Sequence, residues 1–263
     1  MSRTRYDELI EKLAQCRDGL QRAAVYSQLG ELKDMRAVPV LIRGLDDPHH
    51  VARADAATAL GKLGDPQAVP RLIQALRDKS HAVRRDAAYA LRDIGDKRAV
   101  RPLIRVLSKD KSGEVRQAAA TALGELRDDK AVTPLLEALK DENWYTRAAA
   151  AYALRHFSDP RIVPALIETF SRASEDATGR VRTLVVAALN ALKDPRAIPI
   201  LVRAVEDAEP SVRQHALEGL RPFLLLHPDG FLEIPSEDRH RLENALRAME
   251  FRRIRNALCR ESP

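Results

Sequence analysis

Small and aliphatic residues recur along the chain in blocks roughly thirty residues apart, each followed by a polar break and a shorter aliphatic stripe. Around Leu60, the residues Ala56, Ala59, Leu60 and Leu63 share one helical face. Gly64-Asp65-Pro66 then interrupts the pattern, and Asp-Pro suits an N-cap and first-turn pair. Leu72, Ile73 and Leu76 supply the next stripe. Pro70 is costly deep inside a helix, so residues 66–68 are predicted to form a 3₁₀ turn, with the α-helix beginning near Val69. Each block therefore predicts two short helices. Neither buries its stripe alone, and stacking the pairs supplies the core.

The register confirms a repeat. Anchor leucines stand at Leu29, Leu60, Leu91, Leu123, Leu154, Leu189 and Leu220, with steps of 31, 31, 32, 31, 35 and 31 residues. Seven residues before each stands an arginine: Arg22, Arg53, Arg84, Arg116, Arg147, Arg182 and Arg213. Five residues after the first six stands an aspartate: Asp34, Asp65, Asp96, Asp128, Asp159 and Asp194. Alanines four and one before the anchor, such as Ala56 with Ala59 and Ala150 with Ala153, let neighbouring helices approach closely.

These units, typified by VRRDAAYALRDIGDKRAVRPLIRVLSKD, resemble the short HEAT-like repeats first described in phycobilin lyases. The resemblance spans Leu20 to Leu220. The ankyrin signature T-P-L-H-x-A is missing, and tetratricopeptide repeats run longer. The expected fold is all-α, an α-solenoid of about seven two-helix repeats with capping helices at both ends. One domain is read over residues 1–263, with an N-terminal cap over 1–19, repeats over 20–220, and a degenerate last repeat and C-terminal cap over 221–263. Tyr6, Leu9, Ile10 and Leu13 suit the first cap, and Leu242, Leu246, Met249 and Leu258 the last. The loop from Ser171 to Gly179 accounts for the one long step.

Composition narrows the function. The 263 residues are 45% hydrophobic and 31% charged, enough apolar material for a sizeable core and too much for disorder. With 5 Phe, 5 Tyr and 1 Trp, aromatics are too few for a base-stacking platform. No apolar run is long enough for a membrane span, and the opening MSRTRYDELIEKLAQ lacks a signal-peptide core. Cys16 and Cys259 lie far apart and form no disulfide or metal spacing. A cytoplasmic protein without cofactor or metal is expected.

Candidate chemistry dissolves on inspection. One Arg and one Asp per unit are what a stack needs to tie each turn to its neighbour, and the aspartate also suits a cap. Resemblance to HEAT-like proteins implies such ladders. His49, His50 and His81 occupy equivalent loops, but no cysteine or patterned carboxylate completes a zinc site. Deoxyhypusine hydroxylase, of the same superfamily, holds iron with His-Glu dyads, and this sequence contains no His-Glu dipeptide. No catalytic residue is assigned.

Surface charge says more. The resemblance implies that the second helices line a concave face, where Arg36, Arg43, Arg71, Gln74, Arg77, Arg98, Arg101 and Arg105 make the first three units basic. Beyond Glu137 the face is mixed. Such a groove suits an acidic protein surface or a phosphate backbone. Trp144 and Tyr145, placed in an inter-unit loop, suit a partner hot spot or a cover over the gap between two units. The expected function is a non-enzymatic scaffold whose partner is a protein with an acidic patch. Two alternatives stand beside it. Family resemblance alone implies a bilin lyase subunit, chaperone or phycobiliprotein-processing factor. The other is nucleic-acid binding, against which the net charge of +6 is modest.

Overall fold

The computed structural model describes residues 4–173 and 179–226. Among them every regular element is a helix. The α-helices are α1 (Arg5–Gln15), α2 (Gly19–Leu32), α3 (Val38–Gly44), α4 (His50–Leu63), α5 (Val69–Ala75), α6 (His81–Ile94), α7 (Val100–Lys109), α8 (Gly113–Leu126), α9 (Val132–Ala138), α10 (Trp144–Leu154), α11 (Ile162–Arg172), α12 (Arg180–Leu192), α13 (Ile198–Ala204) and α14 (Pro210–Leu226). The chain gathers into two compact units, Met1–Phe157 with α1–α10 and Ser158–Pro263 with α11–α14. Among the described residues no helix is long and apolar enough to cross a membrane. The expected C-terminal cap, with Leu242, Leu246, Met249, Leu258 and Cys259, lies outside the described residues, as do residues 174–178 of the long loop.

A long helix, a 3₁₀ turn and a short helix make up each complete repeat of the first unit. The turn over Pro66–Ala68 and the helix start at Val69 fall where Pro66 and Pro70 predict them. Asp65 caps this turn by accepting the Gln67 N–H at 2.8 Å. Asp34, Asp96 and Asp128 do the same in their repeats, and Asp159 and Asp194 in the second unit, at 2.8–3.0 Å. The long helices α2, α4, α6, α8 and α12 end in left-handed residues, Gly64 (φ 72°) and Gly95 (φ 77°) but also Lys33, Arg127 and Lys193, whereas α10 ends in right-handed Arg155. The conformation thus recurs without requiring glycine. At the other end of the first unit, Thr4 and Asp7 form a capping box on α1, which buries Leu9.

The core is a row of leucines. Leu29, Leu60, Leu91, Leu123 and Leu154 are fully enclosed in the first unit, as are Leu41, Leu72, Leu103 and Leu135 of the short helices. Close approach of the long helices depends on Gly30, Gly61 and Gly124. A Cβ on Gly30 would stand 2.8 Å from both Cα and Cβ of Ala59, and Gly61 and Gly124 meet Ala90 and Ala153 in the same way.

The arginines tie the stack through a different set of acids from the ones the sequence register singles out. Arg22 grips Asp47 with Nε and Nη2 at 2.6 and 2.8 Å. Arg53 holds Asp78, Arg84 holds Asp110 and Arg116 holds Asp141 with the same two-pronged geometry, at 2.7–2.8 Å. The second unit repeats it with Arg182 and Asp207. Each acid also accepts the N–H two residues on, as Asp78 does from Ser80 at 2.8 Å. Its main-chain carbonyl takes the next arginine, as Asp78 O does from Arg84 Nη1 at 2.9 Å. In the first unit the chain of bonds runs unbroken from Arg22 to Arg147, which donates to the carbonyls of Asp141 and Glu142.

A second match governs the starts of the long helices. Gly19 faces the ring of His49, and Gly113 faces the side chain of Asn143, so closely that a methyl group at either glycine would overlap it. Gly179 meets Glu209 likewise in the second unit. At the equivalent positions of the second and third repeats the sequence pairs His50 with Ser80 and His81 with Ser112, so a large helix start goes with a small partner.

Three predictions follow from this packing. Asp78→Ala strands Arg53, which is 6% exposed, and should cost about 2–4 kcal/mol. Calorimetry should then find Tm lower by roughly 5–10 °C; an unchanged Tm would show that the ladder does not carry the stack. Gly30→Ala should destabilise although alanine is the better helix former by about 1 kcal/mol, whereas Gly64→Asn should move Tm little. Comparing the two melts checks which glycine serves packing. The third concerns pH. Burial pushes the carboxyls of Asp47, Asp78 and Asp110 up, but the arginine and backbone N–H donors outweigh it and hold them below the usual carboxylate range. Stability from a depressed acid is present above about pH 4 and is lost as pH falls through the folded value. Tm should therefore stay level from about pH 8 to 5 and drop below about pH 4, less steeply in Asp78→Asn.

Candidate functional site

The side chains of the second-helix face fall into two groups according to where their charge goes. Arg36, Arg98, Arg161 and Arg196 each fold back onto the aspartate two residues earlier, with Nη2 2.6–2.8 Å from its carboxylate. Both side chains belong to one turn, so the pairing is short-range and built into an Asp-x-Arg sequence. The guanidinium and its N–H hold the Asp34 and Asp96 carboxyls low, and Asp159 down to about 2. Arg98 also reaches the Pro66 carbonyl of the preceding repeat at 3.1 Å. Arg36 lies over the Tyr6 ring, 4.4 Å from its centroid, and bonds the Thr4 hydroxyl. These arginines fasten turns together. Arg71 is committed as well, half-buried with Nη2 2.5 Å from Asp46.

Arg43, Arg77, Arg101 and Arg105 are different. All four are exposed and form no salt bridge among the described residues. Of the eight residues expected to form a basic face, three are therefore neutralised, Gln74 is exposed and uncharged, and these four keep their charge free. Lys109, which the sequence reading passes over, joins them at the end of α7, exposed and without a salt bridge. Arg77, Arg105 and Lys109 converge on a groove of about 270 Å³ between α5 and α7, floored by Ile73, Leu76, Pro102 and Val106. The carboxylate at its edge, Asp110, is taken up by Arg84 at 2.7 and 2.8 Å. One repeat further, the groove between α7 and α9 has Glu137, Asp141 and Glu142 among its lining residues.

The aromatic pair departs from expectation. Trp144 and Tyr145 open α10, because Asn143 caps the helix through the N–H groups of Tyr145 and Thr146. Their rings stack with centroids 3.6 Å apart, leaving Tyr145 exposed. The pair thus sits on a helix start and not in a loop. His50 and His81 likewise begin α4 and α6, and His49 stacks on His50 at 5.1 Å. Among the described residues no three His, Cys, Asp or Glu side chains come close enough to hold a metal. His227 and His240 lie outside those residues.

Comparison with known proteins places this geometry. No curated protein matches the chain significantly in sequence. Among solved structures, the Escherichia coli protein YibA is similar at TM-score 0.60 and 23% identity, over 94% of this chain and 93% of that one. The complex of CpcE and CpcF of phycocyanin lyase from Nostoc is similar at TM-score 0.55 and 25% identity, over 94% and 96%. An engineered protein matches at TM-score 0.53 and 19% identity, over 71% of this chain and 98% of its own. The likenesses to YibA and the engineered protein show the fold alone. The family model for HEAT repeats matches residues 6–92, 69–155 and 132–221, a nearly continuous run through the helices described above. The chain belongs to the HEAT-repeat family.

Proposed function

We propose that this protein is a non-enzymatic cytoplasmic scaffold that holds an acidic protein surface against the second helices of its first unit. The observation that carries the reading is the sorting of the arginines. Those in turns and ladders are taken up by carboxylates or main-chain carbonyls, while Arg43, Arg77, Arg101 and Arg105 stand exposed without an ion pair among the described residues. A stack gains nothing from free arginines, but a partner with carboxylates does, through orientation and rate of encounter. The ladder residues, by contrast, are fully accounted for by stacking and leave no nucleophile or acid–base pair poised for chemistry.

A second reading has one observation in its favour: the likeness to a chain of the phycocyanin lyase complex of CpcE and CpcF, over nearly the whole length of this chain and of that one. It makes this chain a lyase subunit or a chaperone for a phycobiliprotein. Fold likeness is a weak warrant for function, so it stands second.

The test is a pull-down from soluble lysate of the source organism with nuclease, using the natural chain and Arg101→Glu/Arg105→Glu. The scaffold reading expects a stoichiometric protein that survives nuclease and drops at least tenfold with the variant. Tm should move by less than about 2 °C, since both sites are exposed. Equal capture by both chains overturns the assigned face. Recovery of nuclease-sensitive material alone replaces the reading with nucleic-acid binding, for which affinity should fall steeply with salt. An absorption change on mixing with bilin and apo-phycobiliprotein puts the lyase reading first.

A further inference from the structure

We infer that the groove between α5 and α7 takes an extended segment of a partner protein in which acidic side chains alternate with aliphatic ones. The inference rests on the scaffold reading and specifies what that partner presents.

The third repeat departs from its neighbours in ways that stacking does not require. In the first, second and sixth repeats proline directly follows the first residue of the short helix, as in Val38-Pro39, Val69-Pro70 and Ile198-Pro199. In the third the order is Val100-Arg101-Pro102 and in the fourth Val132-Thr133-Pro134, and the residue before the proline is an arginine in the third. The step from Leu91 to Leu123 is one residue longer than the two before it. Correspondingly α7 runs for 10 residues, against 7 for α3, α5 and α9. The added turn carries Lys109. Arg101, Arg105 and Lys109 therefore fall at i, i+4 and i+8, one stripe along a single helix, all exposed and none in a salt bridge. Neither α3 nor α9 carries such a row.

Spacing fits the stripe to an extended chain. Residues four apart on a helix stand about 6 Å from each other. Alternate residues of an extended chain stand about 6.6 Å apart and point the same way. Carboxylates at every second position thus meet Arg105 and Lys109 in the groove, and Arg101 stands one turn before them on α7. The side chains between them point the opposite way, toward Ile73 and Leu76 of the other wall, and that wall is apolar. Arg77, next to Leu76, adds a cation at the end of that wall. The floor of Ile73, Leu76, Pro102 and Val106 gives a phosphate backbone nothing to contact, and no aromatic ring lines the groove for a base to stack on. Both facts favour a peptide over a nucleic acid. Glu137 and Glu142 on the adjoining groove repel the same segment, so it is confined to one site.

The experiment is selection of a phage-displayed library of random 12-residue peptides on the full chain, counter-selected on Arg105→Glu/Lys109→Glu. Enriched sequences should carry Asp or Glu at alternate positions with Leu, Ile, Val or Met between. By fluorescence polarisation, such a peptide should lose at least tenfold in affinity on Arg105→Glu/Lys109→Glu. It should lose as much when its own aliphatic residues become Gly. A 12-residue polyglutamate or a 12-nucleotide single strand binding as tightly overturns the inference, since charge alone then suffices. A library that yields no enrichment, or enriches peptides without the alternation, overturns it too. If the library fails while Arg101→Glu/Arg105→Glu still releases the captured protein, only the groove assignment falls. If both fail, the scaffold reading falls with it.

Discussion

An arginine lodged between two repeats has five N–H donors and almost no water to share them with, so the protein must supply acceptors in fixed directions. Here one prong of the guanidinium turns back to carbonyls at the start of its own repeat, and the other two close on an aspartate of the next. That aspartate is held in turn by a backbone N–H at the start of the following long helix. A single side chain thereby sets the distance between repeats, the end of one and the beginning of the next. The aliphatic rows could slide over one another at small cost, because burial of surface has no direction. The bidentate pairs cannot, and so they set the register in which leucines and alanines interlock.

Much of this was legible in the sequence, for reasons that can be named. Asp-Pro followed by Val-Pro dictates cap, 3₁₀ turn and helix start with hardly any freedom, and the turn at Pro66–Ala68 forms accordingly. The tying acids were harder to see. Asp47, Asp78, Asp110, Asp141 and Asp207 lie 25 or 26 residues beyond their arginines, across a helix, a turn and another helix. In three repeats the acid has an acidic neighbour, Asp46, Glu142 or Glu206, which blurs its register. An offset of 25 from the arginine reaches four of the five acids; from Arg84 it lands on Lys109, one short of Asp110, and from Arg147 on Arg172.

The charged face illustrates a second limit. Counting basic residues on a helix face treats Arg36 and Arg105 alike, although one has a carboxylate 2.6 Å away and the other has none. The signal was present: Asp-x-Arg at Asp34, Asp96, Asp159 and Asp194 announces a self-contained pair. Subtracting those pairs, and Arg71 with Asp46, leaves Arg43, Arg77 and the short row on α7. In a protein whose regularity is explained by stacking, the irregular repeat is where a demand other than stacking has left its mark.

The matched helix starts have a meaning for ancestry. Tandem units are commonly regarded as modules that can be copied, deleted or shuffled, since each touches only its neighbours. Gly19 against His49, and Gly113 against Asn143, restrict that freedom. A duplicate of the second repeat placed after itself would set His50 against a copied His49, two imidazoles in room that glycine now leaves. The third could follow itself, with His81 meeting a copied Ser80. Growth or loss of such a chain by whole-unit duplication is therefore channelled: some junctions accept a new neighbour at once, and others must first surrender a side chain.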